Sequence, residues 1–399
     1  MNTFLTLERA RMYALSSCVL ASIVALGLFW ENPDRLRGAV DFPAFYNAGR
    51  IINEHSWSQL YDRDLQERLY IELLPSTPPR DSEIRLFSYT PFIALLFAPL
   101  ARLPYLAAFI CWAIFSFGLY RVGFLFVCRA SGLDKQYWND AFLISLGFTP
   151  LISWCMLSGQ TSTIAFFALA ASIYLDCKEK YFYSGLALSL LAYKPQLLIL
   201  FVPMLIVTGR WKTLIGTIAG GSVLAAISIA MLGPEGVRKY LVMLRLFAEL
   251  KAHGLRITNL EVDAYTFFFR LFADRASWLF VLLCTIVAPF LIVIWRRNRT
   301  NAWATAITWT LILNFYVLMY DSSLVILAVL LIIAQREIPK TLKVLLVILI
   351  LMPWFHTTTA KHGLQLMTLG LGTFGGYQIW FLSHLHDDRV VDPELLGAS

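Results

Sequence analysis

The sequence predicts an all-α, polytopic membrane protein, and three observations predict it. Of 399 residues, 58% are hydrophobic and only 15% charged, whereas soluble domains carry about 45–50% apolar and about 25% charged residues. The mean hydropathy is +0.64. Apolar runs follow one another along nearly the whole chain, separated by short basic clusters. The same apolar richness excludes disorder, and the lack of a fixed period speaks against a solenoid. At about 20 residues per span, roughly ten to twelve spans leave too little chain for a large soluble domain. The whole chain, 1–399, therefore reads as one integral membrane domain whose chemistry happens at the membrane face.

The elements follow in order. Arg9 and Arg11 precede an apolar run at 12–30 with no small-residue cleavage site behind it, so it reads as a retained first helix and not as a signal peptide. Segment 31–88 holds ten acidic and seven basic residues. Within it Trp57, Tyr61, Leu65 and Leu69 recur at helical spacing, and Phe42, Phe45, Tyr46 and Gly49 share one helical face. This is the pattern of amphipathic helices lying on a bilayer surface. The run 89–103 is short, contains Pro91 and Pro99, and is bounded by Arg102 and Pro104, so it reads as a re-entrant or interfacial helix. Spans follow at 104–128, 139–157 and 158–176. The pair 182–193 and 195–208 is short, about 18–21 Å each at helical rise, and meets at Lys194-Pro195. After the span 211–232 comes a second long segment, 233–277, with Tyr240, Leu244 and Phe247 and then Phe267 to Leu271. Runs at 278–295, 302–318, 321–335, 341–355 and 363–383 complete the series.

The basic clusters are Arg9/Arg11, Arg129/Lys135, Lys178/Lys180, Arg210/Lys212, Arg296/Arg297/Arg299 and Arg336/Lys340/Lys343. Placing them all in the cytoplasm gives about twelve spans, cytoplasmic termini, and both long segments on the outer side. The formal charge of +7 is thus a topology signal, and nucleic acid is not an expected partner. The six cysteines form no CxxC and read as buried small apolar residues, not as disulfide or zinc ligands. His356 and His362 share a short outer loop and read as solvated residues; no metal site is expected. Trp30, Trp57 and Trp354 read as interface anchors.

Polar groups at span ends cost free energy unless used or paired, and the topology brings four to the outer side: Asp41, Gln160, Lys194 and Asp321. Asp41, two residues before Pro43, is either an N-cap or a general base at a helix start. Lys194 is either a snorkelling loop lysine or a fixed cation at a helix break, placed for a phosphate. Gln160 follows Ser158-Gly159 in a tight turn. Asp321 begins a helix, where the dipole favours a carboxylate. Together they describe one outer-face site with a carboxylate and a cation.

Five motifs between about residues 38 and 335 resemble glycosyltransferase family 87, membrane mannosyltransferases of the GT-C class. They are Asp41-Phe42 with Tyr46, Ala48 and Leu60-Tyr61; Tyr89-Thr90-Pro91 with Pro99-Leu100; Gly159-Gln160; Gly185 to Lys194-Pro195, ending at Arg210-Trp211; and Tyr320-Asp321. The sequence departs from the family in having one proline after Tyr89, and Thr266 in place of a serine in the segment Asn259 to Arg270. The resemblance implies a GT-C-type bundle. It implies inverting transfer of a hexose, mannose above all, from a polyprenyl phosphate donor to a lipid or glycan acceptor hydroxyl, with no metal or other cofactor. It also implies a site on the extracytoplasmic, periplasmic face of a bacterial inner membrane. Asp41 would then be the base and Lys194 the donor-phosphate ligand. Phe42, Tyr46, Tyr89, Gln160, Gln196, Tyr320 and Asp321 would line the substrate pocket. The competing class is a lipid-linked substrate transporter or flippase, since broken helices and membrane-embedded charges also mark transporters.

Overall fold

A computed structural model describes residues 6–31, 41–73, 86–252, 259–334 and 339–383. Parts of the expected outer segments, 32–40, 74–85 and 253–258, and Arg336 of the last basic cluster lie outside the described residues. The described chain is helical throughout and contains no strand; Glu261 and Leu318 form an isolated antiparallel bridge. In order, the helices are α1 (Leu7–Glu31), α2 (Phe42–Glu54), α3 (Arg63–Leu73), α4 (Pro91–Phe97), α5 (Tyr105–Ser131), α6 (Trp138–Leu146), α7 (Ser162–Cys177) and α8 (Tyr181–Ser189). They continue as α9 (Phe201–Val207), α10 (Trp211–Ala252), α11 (Ala264–Phe272), α12 (Ala276–Arg297), α13 (Arg299–Ile312), α14 (Val325–Ile333), α15 (Lys340–Ala360) and α16 (Leu366–Ser383).

Among the described residues, four stretches are long and apolar enough to cross a bilayer: Tyr105–Ser131, Trp211–Lys251, Ala264–Arg297 and Lys340–Ala360. Shorter apolar helices lie at Ser162–Cys177, Tyr181–Tyr193, Pro195–Val207 and Met319–Ile333. Their outward faces are strongly apolar: Ile110, Ile114 and Phe115 on α5, Ile215, Ile218 and Val223 on α10, and Trp278, Leu282 and Ile286 on α12 are all exposed. So many large exposed hydrophobics on several helices are what a lipid environment requires. The protein is thus an all-α polytopic membrane protein. The run at 89–103 becomes α4, seven residues or about 10 Å at helical rise, far short of a bilayer core of about 30 Å. Run 139–157 is also broken: α6 ends at Leu146 and a π-helical turn, Pro150–Met156, follows.

Small residues let the helices touch. A Cβ on Gly185 of α8 would sit 2.0 Å from the Thr213 carbonyl oxygen of α10, and one on Gly216 would sit 2.1 Å from that of Phe182. Such close backbone approach is the usual basis of helix association in lipid. Helix α10 kinks at Gly233, whose φ is +62° beside Pro234, where the run 211–232 was expected to end. Beyond the kink it returns to the first long segment. Lys239 pairs with Asp62 at 2.8 Å, and Tyr240 packs on Tyr61 with ring centroids 4.7 Å apart. The two segments expected on one side therefore meet.

Two expectations need correcting. Among the cysteines, Cys128 and Cys155 are buried, but Cys111 and Cys177 are exposed. Where the solvent is lipid, a small apolar group on α5 gains nothing from being inside. His356 is not a solvated loop residue: α15 continues past the apolar run to Ala360, and His356 is fully buried within it. Its Nδ1 accepts from the Met367 N–H at 3.0 Å, which leaves Nε2 to donate to the Glu261 carbonyl at 3.1 Å. A neutral imidazole with both nitrogens satisfied is cheap to bury. His362, in the turn that follows, is exposed.

Candidate active site

The site is assembled where three chain breaks converge. The first is the start of α2. The backbone N–H groups of Asp41 and Phe42 both donate to the Ser158 carbonyl, at 3.1 and 3.2 Å. Pro43 occupies the first turn, and the Asp41 side chain makes no cap bond to its own helix. The N-cap reading is thereby set aside: the carboxylate accepts instead from the Gln160 side-chain amide. The second break is the Ser158-Gly159-Gln160 turn. Gly159 adopts φ +72°, and a Cβ there would lie 2.6 Å from that of Phe42, so the turn takes only glycine. Trp112 Nε1–H secures the Gly159 carbonyl at 3.0 Å.

The third break is Lys194. Proline disfavours helical geometry in the residue before it, and Lys194 sits at φ −130°, ψ 76° between the short turns Leu190–Tyr193 and Pro195–Leu198. Its side chain is 4% exposed and forms an ion pair of 2.7 Å with Asp321, which is 3% exposed. That burial removes the snorkelling reading. Ser162 Oγ donates to the same Asp321 oxygen at 2.5 Å and lies 3.4 Å from the Lys194 ammonium. The ammonium also faces the rings of Tyr320, Tyr89 and Tyr193, at 4.5, 5.6 and 5.8 Å from their centroids. A cation surrounded by aromatic faces is held electrostatically even where water is scarce.

Tyr89 joins the two halves. Its hydroxyl donates to Gln160 Oε1 at 3.0 Å while its ring flanks Lys194. Its position is set from behind: Tyr61 O–H donates to the Tyr89 carbonyl at 2.5 Å, and Gln66 bonds both backbone groups of Phe87. Burial first, then the nearby Asp41 and Asp321 carboxylates, push the Tyr89 phenol well above its ordinary value. It therefore remains a hydrogen-bond donor at neutral pH.

The structure brings together Asp41, Gln160, Tyr89, Lys194, Asp321 and Tyr320. Others lie apart. Phe42 is fully buried against Phe97, Tyr105 and Phe109, and Tyr46 donates to the Leu103 carbonyl at 2.8 Å; both seat α2 on its neighbours. Gln196 is held through its backbone carbonyl by Asn314 Nδ2 at 2.9 Å. Sequence reasoning missed Ser162 and Tyr193, although they adjoin Gln160 and Lys194. It also missed a second polar cluster against the first. There Lys251 bonds Glu261 and Thr266 at 3.2 and 2.9 Å, and its ammonium lies 5.4 Å from the Tyr316 ring. Backbone bonds from Val262 to Val317 and from Met319 to Leu260 tie this cluster to Tyr320-Asp321. Among the described residues no group of histidine, cysteine and carboxylates is arranged to hold a metal ion.

A polar site buried in an apolar helical bundle admits enzymes and transporters alike. The family model of glycosyltransferase family 87 matches residues 87–319, more than half of the chain. The chain belongs to glycosyltransferase family 87. Membership makes it a membrane glycosyltransferase acting on a sugar donor and an acceptor, and the transporter alternative gives way. No curated protein and no solved structure matches it. The match holds Tyr89, Gln160, Lys194 and Gln196, while Asp41 precedes it and Tyr320 and Asp321 follow it directly. Within this family 87 chain, hydrogen bonds and the ion pair couple those flanking residues to the matched ones.

Proposed function

We propose that the chain transfers a hexose of the mannose class from a polyprenyl phosphate to a lipid or glycan hydroxyl on the extracytoplasmic side of a bacterial inner membrane. The observation that supports this is the placement of a carboxylate and a buried cation on two sides of one tyrosine. Asp41 and Lys194 are joined through Gln160 and Tyr89. A single displacement at an anomeric carbon needs those two groups and little else. The acceptor hydroxyl gives its proton to Asp41 as its oxygen attacks C1. The bond from C1 to the phosphate oxygen breaks on the opposite face, and the configuration inverts. The departing polyprenyl phosphate takes up negative charge beside Lys194, whose fixed position costs no reorganisation at that moment.

Each neighbour has a part in this reading. Gln160 orients the Asp41 carboxylate by donating to it. Asp321 and Ser162 hold the Lys194 ammonium, and the lysine's third N–H serves the phosphate. Tyr89 and Tyr320 present aromatic walls to the sugar. The outward apolar faces of the helices accommodate the polyprenyl chain, which explains a transferase without a large soluble domain. No metal enters the proposed reaction.

Asp41→Asn tests the base assignment. Purified protein given radiolabelled polyprenyl-phosphate mannose and a lipid acceptor should form product. The Asn variant should fold, bind donor, and lose on the order of 10²–10⁴ in turnover, the range of general-base catalysis. Normal turnover by the variant would remove Asp41 from the mechanism. Turnover of a different lipid-linked sugar alone would correct the donor while leaving the geometry intact.

A further inference from the structure

The segment 313–318, between α13 and the Tyr320-Asp321 turn, is not helical. In a membrane protein such backbone is tolerated where protein surrounds it or where it lines a water-filled cavity, and here side chains pin it on both flanks. The buried Asn314 accepts from the N–H groups of Phe315 and Tyr316 at 2.9 and 3.3 Å. Its amide donates to the carbonyl of Gln196, two residues beyond Lys194, at 2.9 Å. Val317 N–H donates to the Asp263 carboxylate at 3.3 Å, and the Val317 carbonyl accepts from Val262 at 2.9 Å. In an extended segment successive side chains point to opposite faces. Phe315 accordingly packs on Tyr265 and Phe280, with ring centroids 5.8 and 5.0 Å apart, while Tyr316 turns the other way, to Lys251.

Tyr316 is thereby brought to the active site. Its ring faces the Lys251 ammonium, 5.4 Å from the centroid. That lysine is paired with Glu261 and bonded to Thr266, at 3.2 and 2.9 Å, so it clamps the ring and is not a ligand for an anion. The Tyr316 phenol reaches the other tyrosines. After burial, Asp41 and Asp321, it is the next group that raises the Tyr89 phenol, to which Tyr320 is hydrogen-bonded. Exposure then sorts the members of the site. Gln160, Tyr193, Lys194, Tyr320 and Asp321 are buried, whereas Asp41, Tyr89 and Tyr316 keep part of their surface accessible. Of these accessible groups, the transfer mechanism uses Asp41 and Tyr89 and leaves Tyr316 without a part.

We propose that the Tyr316 hydroxyl bonds a hydroxyl of the donor sugar and so selects a fully hydroxylated hexose. This role rests on the reading of the site as one for a polyprenyl-phosphate sugar. Lys194 fixes the donor phosphate in that reading, and Asn314 ties the Tyr316 segment to the lysine's own chain break. The sugar on that phosphate lies beside Tyr316, whereas the acceptor approaches Asp41. A phenol can donate and accept at once, which suits a sugar hydroxyl whatever else the oxygen touches. The clamped ring fixes where the phenol sits. A donor that lacks the matching hydroxyl leaves the phenol unpaired toward the sugar, and this is how a polar pocket discriminates.

The test is equilibrium binding of radiolabelled polyprenyl-phosphate mannose to the purified full chain. The competitors are monodeoxy-mannosyl donors, each lacking a different hydroxyl, and bare polyprenyl phosphate. The wild type should bind one of the deoxy donors about threefold to tenfold more weakly than the mannosyl donor, the range of one neutral hydrogen bond. Tyr316→Phe keeps the ring on Lys251 and removes the hydroxyl. It should lose the same factor for the mannosyl donor, bind that deoxy donor as the wild type does, and bind bare polyprenyl phosphate unchanged. A tyrosine with a structural role alone would weaken every competitor alike, bare polyprenyl phosphate included, and that result would overturn the proposal. So would equal wild-type affinity for the mannosyl donor and all the deoxy donors, a comparison that stands even where Tyr316→Phe does not fold. Intact donor binding in Tyr316→Phe, with only more acceptor needed for transfer, would assign the residue to the acceptor and overturn the proposal too. A wild type that bound neither the mannosyl donor nor bare polyprenyl phosphate would remove the donor reading itself, and this role with it.

Discussion

Two buried carboxylates sit at opposite ends of the same helices and are partnered in different ways. Asp321 meets one lysine at 2.7 Å inside a ring of tyrosines, and both partners are nearly inaccessible. Asp176 is equally buried but serves Arg210, Arg299 and Trp303 together, and its arginines face an open cavity. In the first pair charge is matched and enclosed, so either partner alone is a costly burial. In the second, one carboxylate is shared by two guanidinium groups beside an open groove. The difference separates a cation held by one carboxylate from two that share one.

The sharpest way to break this contrast is at Lys194. Lys194→Ala leaves Asp321 buried without its partner, which costs about 3–5 kcal/mol in comparable pairs. Transfer should be lost with it, and donor binding weakened. Replacing both residues by apolar ones, Lys194→Met with Asp321→Leu, should restore most of the thermal stability while transfer stays absent. Thermal unfolding together with the transfer assay separates the two effects. Recovery of turnover in the double variant would deny Lys194 its phosphate role. At the other end, Asp176→Asn should cost less, about 1–3 kcal/mol. The amide oxygen can still accept from Trp303, and counter-ions reach the arginines through the cavity. Transfer should persist. A loss as large as that of Lys194→Ala would show that the second site is enclosed after all.

These partnerships were only partly legible in the sequence. The helical bundle was, because apolar runs and basic clusters are local properties of the chain. So was the break at Lys194, since proline disfavours helical geometry in the residue before it and the runs on either side are short. The pairing of Lys194 with Asp321 spans 127 residues, and the bond from Gln160 to Asp41 spans 119. Spacing carries no trace of either, and only an assumed topology placed these residues on one side. Phe42 and Tyr46 stand in the same motif as Asp41, yet their side chains pack α2 onto its neighbours. A motif marks a segment and leaves open which face of it turns to the site. His356 was misread because the apolar run stops before it while the helix does not. The cluster of Lys251 and Glu261 had no signal, because nothing in their ten-residue separation marks them as partners.

The smallest effect lies near the active-site end, between the two long segments. Asp62 accepts from Lys239 at 2.8 Å and from the Leu65 N–H at 3.1 Å. The Lys239 ammonium bonded to it holds the carboxyl below its ordinary value of 3.8. A lowered pKa in the folded state gives stability that is present above the unfolded value and is lost as pH falls through the folded one. With both side chains about 30% exposed, the contribution is roughly 0.2–1 kcal/mol. Asp62→Asn keeps the backbone bond, because Asn also serves as a cap, and removes only the charge. The variant should therefore unfold at a slightly lower temperature than the wild type at pH 7. The two curves should draw together as pH falls below 3.8 and meet once it passes the lower, folded value, where the wild-type carboxyl also loses its charge. A difference that persists unchanged at pH 3 would mean that shape, and not the ion pair, joins the two segments.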